Sequence, residues 1–229
     1  MRVNGHRIEH LLFDLDETLY LPETGLMATI SQRINNYMRD RLRMDPATVD
    51  RLRRDYYQRY GTTSRGLYLH QGIDLEDYLT FVHDVALEEY LAVDQRLRRV
   101  LTRLPGQKVI FTNSPVEHAQ RVLRALGVED CFDHIYDIRF LDYIHKPDPR
   151  AYQKALDGLG TGGGDCLLLD DVVRNLLPGK ALGMVTVLVS PVPLEDSVGA
   201  SGQAAEHHPD GVDFVIPRVT ELERVMEAP

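Results

Sequence analysis

The sequence predicts an α/β fold in which a parallel sheet carries a helical segment inserted between its first and second strands. Short apolar runs alternate with segments of helical periodicity, which is the pattern of parallel strands joined by crossover helices. The helical stretch between the first two runs, residues 21–104, is too long for one crossover. We therefore expect a core domain made of residues 1–20 and 105–229, and a helical cap domain made of residues 21–104.

Six apolar runs of strand length are expected to form the sheet. In chain order they are residues 11–15, 108–112, 135–138, 166–170, 184–189 and 214–216. The helix after the second run is predicted to have Ser114 as its N-cap, Pro115 at its first position and Glu117 completing a capping box. Gly127 is expected to end that helix, and Asp45 to precede another helix within the insert.

Composition excludes several classes of function. The 229 residues carry a formal net charge of -9, with the basic residues scattered, so a nucleic-acid polymer is not an expected partner. The apolar runs are far shorter than the roughly 20 residues of a membrane span. Because the first residues lack the pattern of a signal peptide, we expect a cytoplasmic protein. Cys131 and Cys166 lack metal-site or disulfide-framework spacing and receive no role.

Two carboxylates follow the first apolar run. Asp14 and Asp16 stand where the predicted strand ends, and ligands bind at the carboxyl ends of strands in open parallel sheets. The alternative is structural, because acidic residues at strand ends also form turns and helix caps. These two residues alone leave both interpretations open.

Three later positions at predicted strand ends favour the functional interpretation. They hold Thr112 with Asn113, Lys146, and the pair Asp170 and Asp171. A carboxylate attacks a phosphate ester only if a cation and fixed donors relieve the charge repulsion. The acidic pair supplies oxygen ligands and the other three residues supply donors. Each group has a structural explanation when taken singly, so it is their order and placement that indicate phosphoryl transfer.

The chain resembles the haloacid dehalogenase-like (HAD) hydrolase superfamily in four motifs. They are DLDETLY at 14–20, TNS at 112–114, Lys146 within HKPDP, and DDVVRN at 170–175. Segments 56–67, 117–119 and 182–189 resemble the pyrimidine 5′-nucleotidase group of that superfamily. The resemblance implies a Rossmann-like parallel sheet with a helical cap, and hydrolysis of a phosphate ester.

The resemblance also implies roles for residues of the motifs. Asp14 would be the nucleophile that forms an aspartyl-phosphate. Asp16 would protonate the leaving oxygen and then activate water. Thr112, the backbone at Asn113, and Lys146 would hold the transferring phosphoryl group.

A magnesium ion is the cofactor that the resemblance implies. Its ligands would be Asp14, the backbone carbonyl of Asp16, and Asp171, while Asp170 would bind directly or through water. Val172 departs from the family pattern, in which a serine often follows the acidic pair. The substitution removes a hydroxyl that could orient the metal shell.

The expected partner is a small phosphorylated substrate, by resemblance a nucleoside 5′-monophosphate. Arg65, in the best-matching cap segment, is a candidate substrate contact, against the alternative of a surface or salt-bridge role. Sugar phosphates or other small organic phosphates are the alternative substrates. A phosphosugar mutase and a non-catalytic binding protein are further alternatives. Halide removal is disfavoured, because enzymes with that chemistry lack the second carboxylate that Asp16 provides.

Other parts of the chain receive structural interpretations. His118 is expected to have a packing or surface role, and His145 to be a loop residue. Residues 190–211 are rich in Pro, Gly, Ser, Ala and acidic residues, and we expect a long surface loop there. The sequence does not predict an oligomeric state.

Overall fold

A computed structural model describes residues 1–3, 5–191 and 209–226, and within them the main sheet has six parallel strands. These are β3 (His10–Phe13), β4 (Gln107–Phe111), β5 (His134–Tyr136), β6 (Cys166–Asp170), β7 (Val185–Val189) and β8 (Phe214–Ile216). The six predicted strands are confirmed, with ends that differ by at most two residues. A short antiparallel pair not predicted from the sequence, β1 (Arg2–Val3) and β2 (His6–Arg7), precedes them.

The spatial order of the strands, β5-β4-β3-β6-β7-β8, makes the fold Rossmann-like. β3 lies between β4 and β6, so the chain leaves the first strand on one side and returns on the other. Ligands of such sheets bind outside the carboxyl ends of the strands at this switch point. The topology therefore identifies the ends of β3, β4 and β6 as the place to look for a site.

Helices fill the segment between β3 and β4, as predicted. They are α1 (Leu26–Asn36), a π-helical turn (Tyr37–Arg41), α2 (Pro46–Tyr60), α3 (Thr63–Gln71), α4 (Leu75–His83) and α5 (Gln95–Arg103). The later helices are α6 (Val116–Leu126), α7 (Pro149–Leu159) and α8 (Val173–Ala181). The Asp45 side chain accepts the Thr48 amide at 3.0 Å and so caps α2, as expected. Among the described residues, no helix is both long and apolar enough to cross a membrane.

The sheet is buried on both faces, which explains why its strands are nearly continuous apolar runs. Leu11 and Phe13 of β3 point to one face, into a cluster that includes the buried side of α6. Leu12 points to the other face, into a cluster that includes α7. All three side chains are fully buried, and burying each contributes about 1.5–3 kcal/mol.

The inserted segment has an apolar core of its own. Tyr56, Leu67 and Tyr78 belong to this third cluster, so at least part of the tyrosine content serves packing. In contrast, Leu26 of α1 and Leu101 of α5 pack into the cluster of the sheet. The domain boundaries at residues 21 and 104 stay a prediction, and this packing favours a smaller lobe between α1 and α4. We call the part built on the third cluster the helical lobe.

The start of α6 differs from its prediction. Ser114 is not the N-cap, because α6 begins at Val116 and the Ser114 hydroxyl binds elsewhere. Glu117 completes no capping box, since its carboxylate accepts from Arg139 at 2.7 Å. The Val116 amide at the start of α6 instead donates to the side chain of Asp137, which directly follows β5, at 2.9 Å. A capping group distant in sequence thus replaces the local one.

The predicted surface loop at residues 190–211 lies mostly outside the described residues, which omit 192–208.

We expect Asp137→Ala to lower the free energy of unfolding by about 1–2 kcal/mol, the usual cost of losing an N-terminal cap. Its carboxylate also accepts the amide of Phe140 at 2.8 Å, so two backbone donors lose their partner. Urea unfolding followed by circular dichroism measures the change. Glu117→Ala is the matched control, and its exposed position predicts less than about 0.5 kcal/mol. Equal losses in the two variants would contradict the remote cap.

Candidate active site

The carboxyl ends of three neighbouring strands bring the predicted site residues together. Asp14 directly follows β3, Thr112 directly follows β4, and Asp170 is the last residue of β6. The Asp14 amide donates to the Leu169 carbonyl at 2.9 Å, which continues the ladder between β3 and β6 and fixes the two aspartates side by side.

Lys146 joins these aspartates. Its ammonium donates to Asp14 Oδ1 at 2.8 Å and to Asp170 Oδ2 at 2.7 Å, and the side chain is 1% exposed. The two carboxylates raise the pKa of Lys146 above its usual value despite the opposing effect of burial. Lys146 therefore places a fixed positive charge between the two carboxyl groups.

Asn113 holds the backbone of Lys146 in place. Its side-chain amide donates to the Lys146 carbonyl at 3.2 Å, and its Oδ1 accepts the Lys146 amide at 2.8 Å. The residue acts here through its side chain, whereas the family resemblance implied a role for its backbone. The backbone amide of Asn113 has no hydrogen-bond partner within the described ranges, so it remains available to an oxyanion.

Three carboxylates form a cluster whose chemistry fits a divalent cation. Oxygen atoms of Asp14, Asp170 and Asp171 lie within 4.8 Å of one another, and Mg²⁺ takes carboxylate oxygens. Asp170 is already heavily engaged, because it accepts from Lys146, the Val172 amide and the side chain of Asn175. Asp171 has no hydrogen bond of this kind in the described structure, which favours it as a ligand over Asp170.

Burial and mutual repulsion act on the protons of this cluster. Burial raises the pKa of Asp14 to about 7, against the opposing effect of Lys146. Burial also raises the pKa of Asp171 to about 8, and the neighbouring Asp14 and Asp170 add to the rise. A bound cation would add positive charge beside these carboxylates and so favour their ionised forms.

Asp16 is held in a different way from the other aspartates. Its carboxylate accepts from Tyr20 Oη at 2.7 Å, from Ser114 Oγ at 2.6 Å and from His118 Nε2 at 2.9 Å. Although burial opposes it, these donors lower the pKa of Asp16 below its ordinary range. The expected packing or surface role of His118 is therefore incomplete, because the buried ring also bonds to Asp16. His118 lies in segment 117–119, which resembles the nucleotidase group, but that resemblance did not indicate this contact.

The remaining predicted residues lie at the edges of the cluster. Thr112 is 1% exposed, and its hydroxyl accepts the Ser114 amide at 3.0 Å, so it shapes the turn after β4.

Arg65 is half-buried near the start of α3 and close to His145. His145 is not simply a loop residue, since its buried ring bonds to Ser64 of the lobe at 3.0 Å. Burial and, next, Arg65 lower the pKa of His145 to about 4.

A comparison with models of protein families identifies the family of the chain. A model of the haloacid dehalogenase-like hydrolases matches residues 8–183. The chain belongs to this family. The match runs from just before β3 to just before β7, and so includes every strand that contributes to the site of this HAD hydrolase.

Similar proteins include several named phosphatases. The HAD hydrolase is 33% identical over 191 residues to Phosphate metabolism protein 8 of Saccharomyces cerevisiae, across 77% of this chain and 60% of the yeast protein. It is 28% identical over 196 residues to a glyceraldehyde 3-phosphate phosphatase of Pyrococcus abyssi, across 79% and 80% of the two chains. The chain thus spans less than two thirds of the yeast relative.

Solved structures agree on the fold. A HAD phosphatase from Thermococcus onnurineus has a TM-score of 0.60 at 19% identity, covering 95% of this chain and 97% of that one. The L-2-haloacid dehalogenase of Xanthobacter autotrophicus, with chloropropionic acid covalently bound, has a TM-score of 0.56 at 16% identity, covering 95% and 98%. These likenesses support the α/β architecture and carry no information on substrate.

The raised pKa values predict how metal binding depends on pH. In the folded state, Asp14 and Asp171 keep their protons to a higher pH than in the unfolded chain. Without a cation, these two groups therefore lower the free energy of unfolding as the pH rises toward about 7 and 8. A cation must displace the same protons. We therefore expect Mg²⁺ to raise Tm more above pH 8 than below pH 7, measured by differential scanning fluorimetry.

Two variants give this measurement its controls. Asp171→Asn should lose most of the Mg²⁺-dependent rise in Tm, because an uncharged amide replaces a ligand. Glu88→Gln alters an exposed carboxylate in the 3-10 turn after α4 and should keep the rise. A Mg²⁺ effect that is independent of pH, or that survives in Asp171→Asn, would contradict the assignment of the cluster.

Proposed function

We propose that this HAD hydrolase is a magnesium-dependent phosphomonoesterase that acts through an aspartyl-phosphate on Asp14. The observation that carries the proposal is the bridge from Lys146 to both Asp14 and Asp170, with Asp171 beside them. A nucleophile, a fixed cation and a metal-ligand cluster at one sheet edge are the parts that phosphoryl transfer needs. The name of the similar phosphatase of Pyrococcus abyssi supports the same class of reaction.

Asp14 carries out the bond-forming step. One carboxylate oxygen attacks phosphorus, and the bond from phosphorus to the ester oxygen breaks as the new bond forms. Lys146 neutralises part of the charge on the phosphoryl oxygens, while the free amide of Asn113 and the turn at Thr112 provide further contacts. Water then attacks phosphorus and releases inorganic phosphate, and the carboxylate is restored.

Asp16 moves the protons of both half-reactions. It protonates the leaving oxygen in the first and takes a proton from water in the second. The donors that lower its pKa suit the second step, which needs the ionised form. In the first step, the charge of the phosphoryl group beside it raises the pKa of a carboxyl.

The magnesium site is proposed on the carboxylates of Asp14 and Asp171 with the backbone carbonyl of Asp16. Asp170 contributes directly or through water. When bound, the ion supplies positive charge that offsets repulsion between the carboxylates and the phosphate.

A nucleoside 5′-monophosphate is the proposed substrate, pyrimidine ones by resemblance. The turn between α2 and α3 lies over the loop of Lys146, since a Cβ on Gly61 would come 2.8 Å from the Lys146 carbonyl. Arg65 follows this turn, and Tyr57 and Tyr68 of the same helices are about half exposed. A cation and exposed rings on these two helices are suited to a phosphorylated nucleoside. A sugar phosphate or other small phosphate is the second candidate, favoured by the name of the Pyrococcus relative.

The reaction is tested by inorganic phosphate release from a panel of phosphate esters with Mg²⁺. We expect Asp14→Asn to abolish turnover, and Lys146→Met to reduce kcat by about 10²–10³, the scale for one transition-state donor. Lys154→Met changes a lysine on α7 away from the cluster and should stay close to wild type. After many turnovers in heavy-oxygen water, mass spectrometry should find label in the released phosphate and none in the tryptic peptide that contains Asp14, because water attacks phosphorus.

Each proposed step has a result that would overturn it. Full activity of Asp14→Asn would exclude the aspartyl-phosphate, and label in the peptide that contains Asp14 would exclude attack of water at phosphorus. Transfer of the phosphoryl group to a sugar without release of phosphate would mark a mutase. Activity that persists with a chelator present would exclude the metal.

The proposed substrate contact is tested at Arg65. Arg65→Gln is expected to raise KM for uridine 5′-monophosphate by about tenfold, since one charged hydrogen bond contributes roughly 1.5 kcal/mol or more, and to leave kcat nearly unchanged. Arg54→Gln, at an exposed position on α2, is the control. An unchanged KM in Arg65→Gln would reject the contact and leave the phosphatase proposal intact.

A further inference from the structure

His118 lies on the buried face of α6, beside residues that are otherwise apolar. Ala119, Val122 and Leu123 share that face, and the His118 side chain has no exposed surface. Its Nε2 lies 2.9 Å from Asp16 Oδ1. The ring therefore connects a core helix to the carboxylate that is proposed to handle protons.

Three donors converge on the Asp16 carboxylate from separate directions. Tyr20 and His118 bond to Oδ1, and Ser114 bonds to Oδ2. A carboxylate only accepts, so the imidazole carries its hydrogen on Nε2. Together the three contacts define one orientation of the Asp16 side chain.

Packing alone does not account for an imidazole at this position. Nδ1 of His118 is buried and has no hydrogen-bond partner among the described residues. A buried polar atom without a partner destabilises a fold, whereas an apolar side chain would fill the same space without that cost. The bond from Nε2 to Asp16 is the feature that an apolar residue could not supply.

The lobe supports the ring from the other side. His83, the last residue of α4, lies with its ring centroid 4.6 Å from that of His118. His83 is fixed by a bond from its Nδ1 to the Leu79 carbonyl at 2.8 Å, and its own carbonyl accepts from Arg121 at 3.1 Å. The plane of His118 is thus held between α6 and the end of a lobe helix.

We propose that His118 is a positioning residue that holds the Asp16 carboxylate in the orientation required for proton transfer to the leaving oxygen. The inference rests on the proposed phosphatase function and adds a residue that the sequence motifs do not assign. A proton donor must lie within hydrogen-bond reach of its target, and small displacements greatly reduce rates. Among the described residues, the His118 side chain bonds to Asp16 and not to Asp14, Asp170 or Asp171.

The test compares leaving groups, because proton donation matters only where the leaving oxygen needs a proton. One substrate is uridine 5′-monophosphate, or glycerol 3-phosphate where the wild type hydrolyses that instead. The other is 4-nitrophenyl phosphate, whose phenolate leaves without a proton. His118→Phe should reduce kcat/KM for the alkyl phosphate by about 10–100-fold, the scale for residues that orient reacting groups. This ratio reports the first half-reaction alone, so the role of Asp16 with water in the second half-reaction does not enter it. The kcat/KM of His118→Phe for 4-nitrophenyl phosphate should fall less than about threefold, because that leaving group needs no proton.

Conservative and matched variants separate positioning from packing. His118→Gln keeps an N–H donor and should recover most of the alkyl phosphate activity. His83→Phe keeps an aromatic ring against His118 and should stay close to wild type. Thermal unfolding of every variant checks the fold, and His118→Leu provides a second apolar replacement.

Every outcome bears on the proposal. Equal losses for both substrates in His118→Phe, or no rescue in His118→Gln, would overturn it, because the imidazole would then act only through packing. Failure of both His118→Phe and His118→Leu to fold would also overturn it. A wild-type protein that releases no phosphate from any ester would instead refute the proposed function, which is a distinct result.

Discussion

The buried bridge between Lys146, Asp14 and Asp170 is the interaction on which the site depends. Removing two carboxylates and an ammonium from water costs several kcal/mol for each ion, and good geometry is needed to repay it. The distances of 2.8 and 2.7 Å meet that requirement. Burial, with repulsion from the excess of negative charge that the bridge leaves in the cluster, raises the pKa values of Asp14 and Asp171, and the same excess of negative charge makes the cluster suitable for a cation.

The loop that carries Lys146 also receives the helical lobe. Gly61 packs against Pro147, and Ser64 bonds to the buried ring of His145. Further from the site, the Arg139 guanidinium pairs with Glu76 of α4 at 2.7 Å. The helical lobe and Lys146 are therefore held by the same loop. In the proposed reaction, a lobe held over the strand ends would limit the access of water to the intermediate.

The sequence predicted the strands, the inserted helices and the acidic cluster because these depend on short-range patterns. A continuous apolar run indicates a strand that is buried on both faces of the sheet. A carboxylate directly after such a run lies at the end of that strand, whichever strands are its neighbours. The α6 cap was predicted wrongly for the opposite reason. A local Ser and Glu match the capping pattern, but the folded chain brings Asp137 to the Val116 amide and uses Ser114 for Asp16.

By itself, the sequence determined the α/β class, the family motifs and the identity of the residues that can carry charge at the strand ends. The tertiary structure decided which partners those residues have. Asp16 accepts from His118, 102 residues away, and Lys146 is held by Asn113, 33 residues away. Such contacts form when a helix and a loop pack against the paired strands. Because the bonded groups are far apart in sequence, no periodicity or spacing along the chain indicates that they will meet.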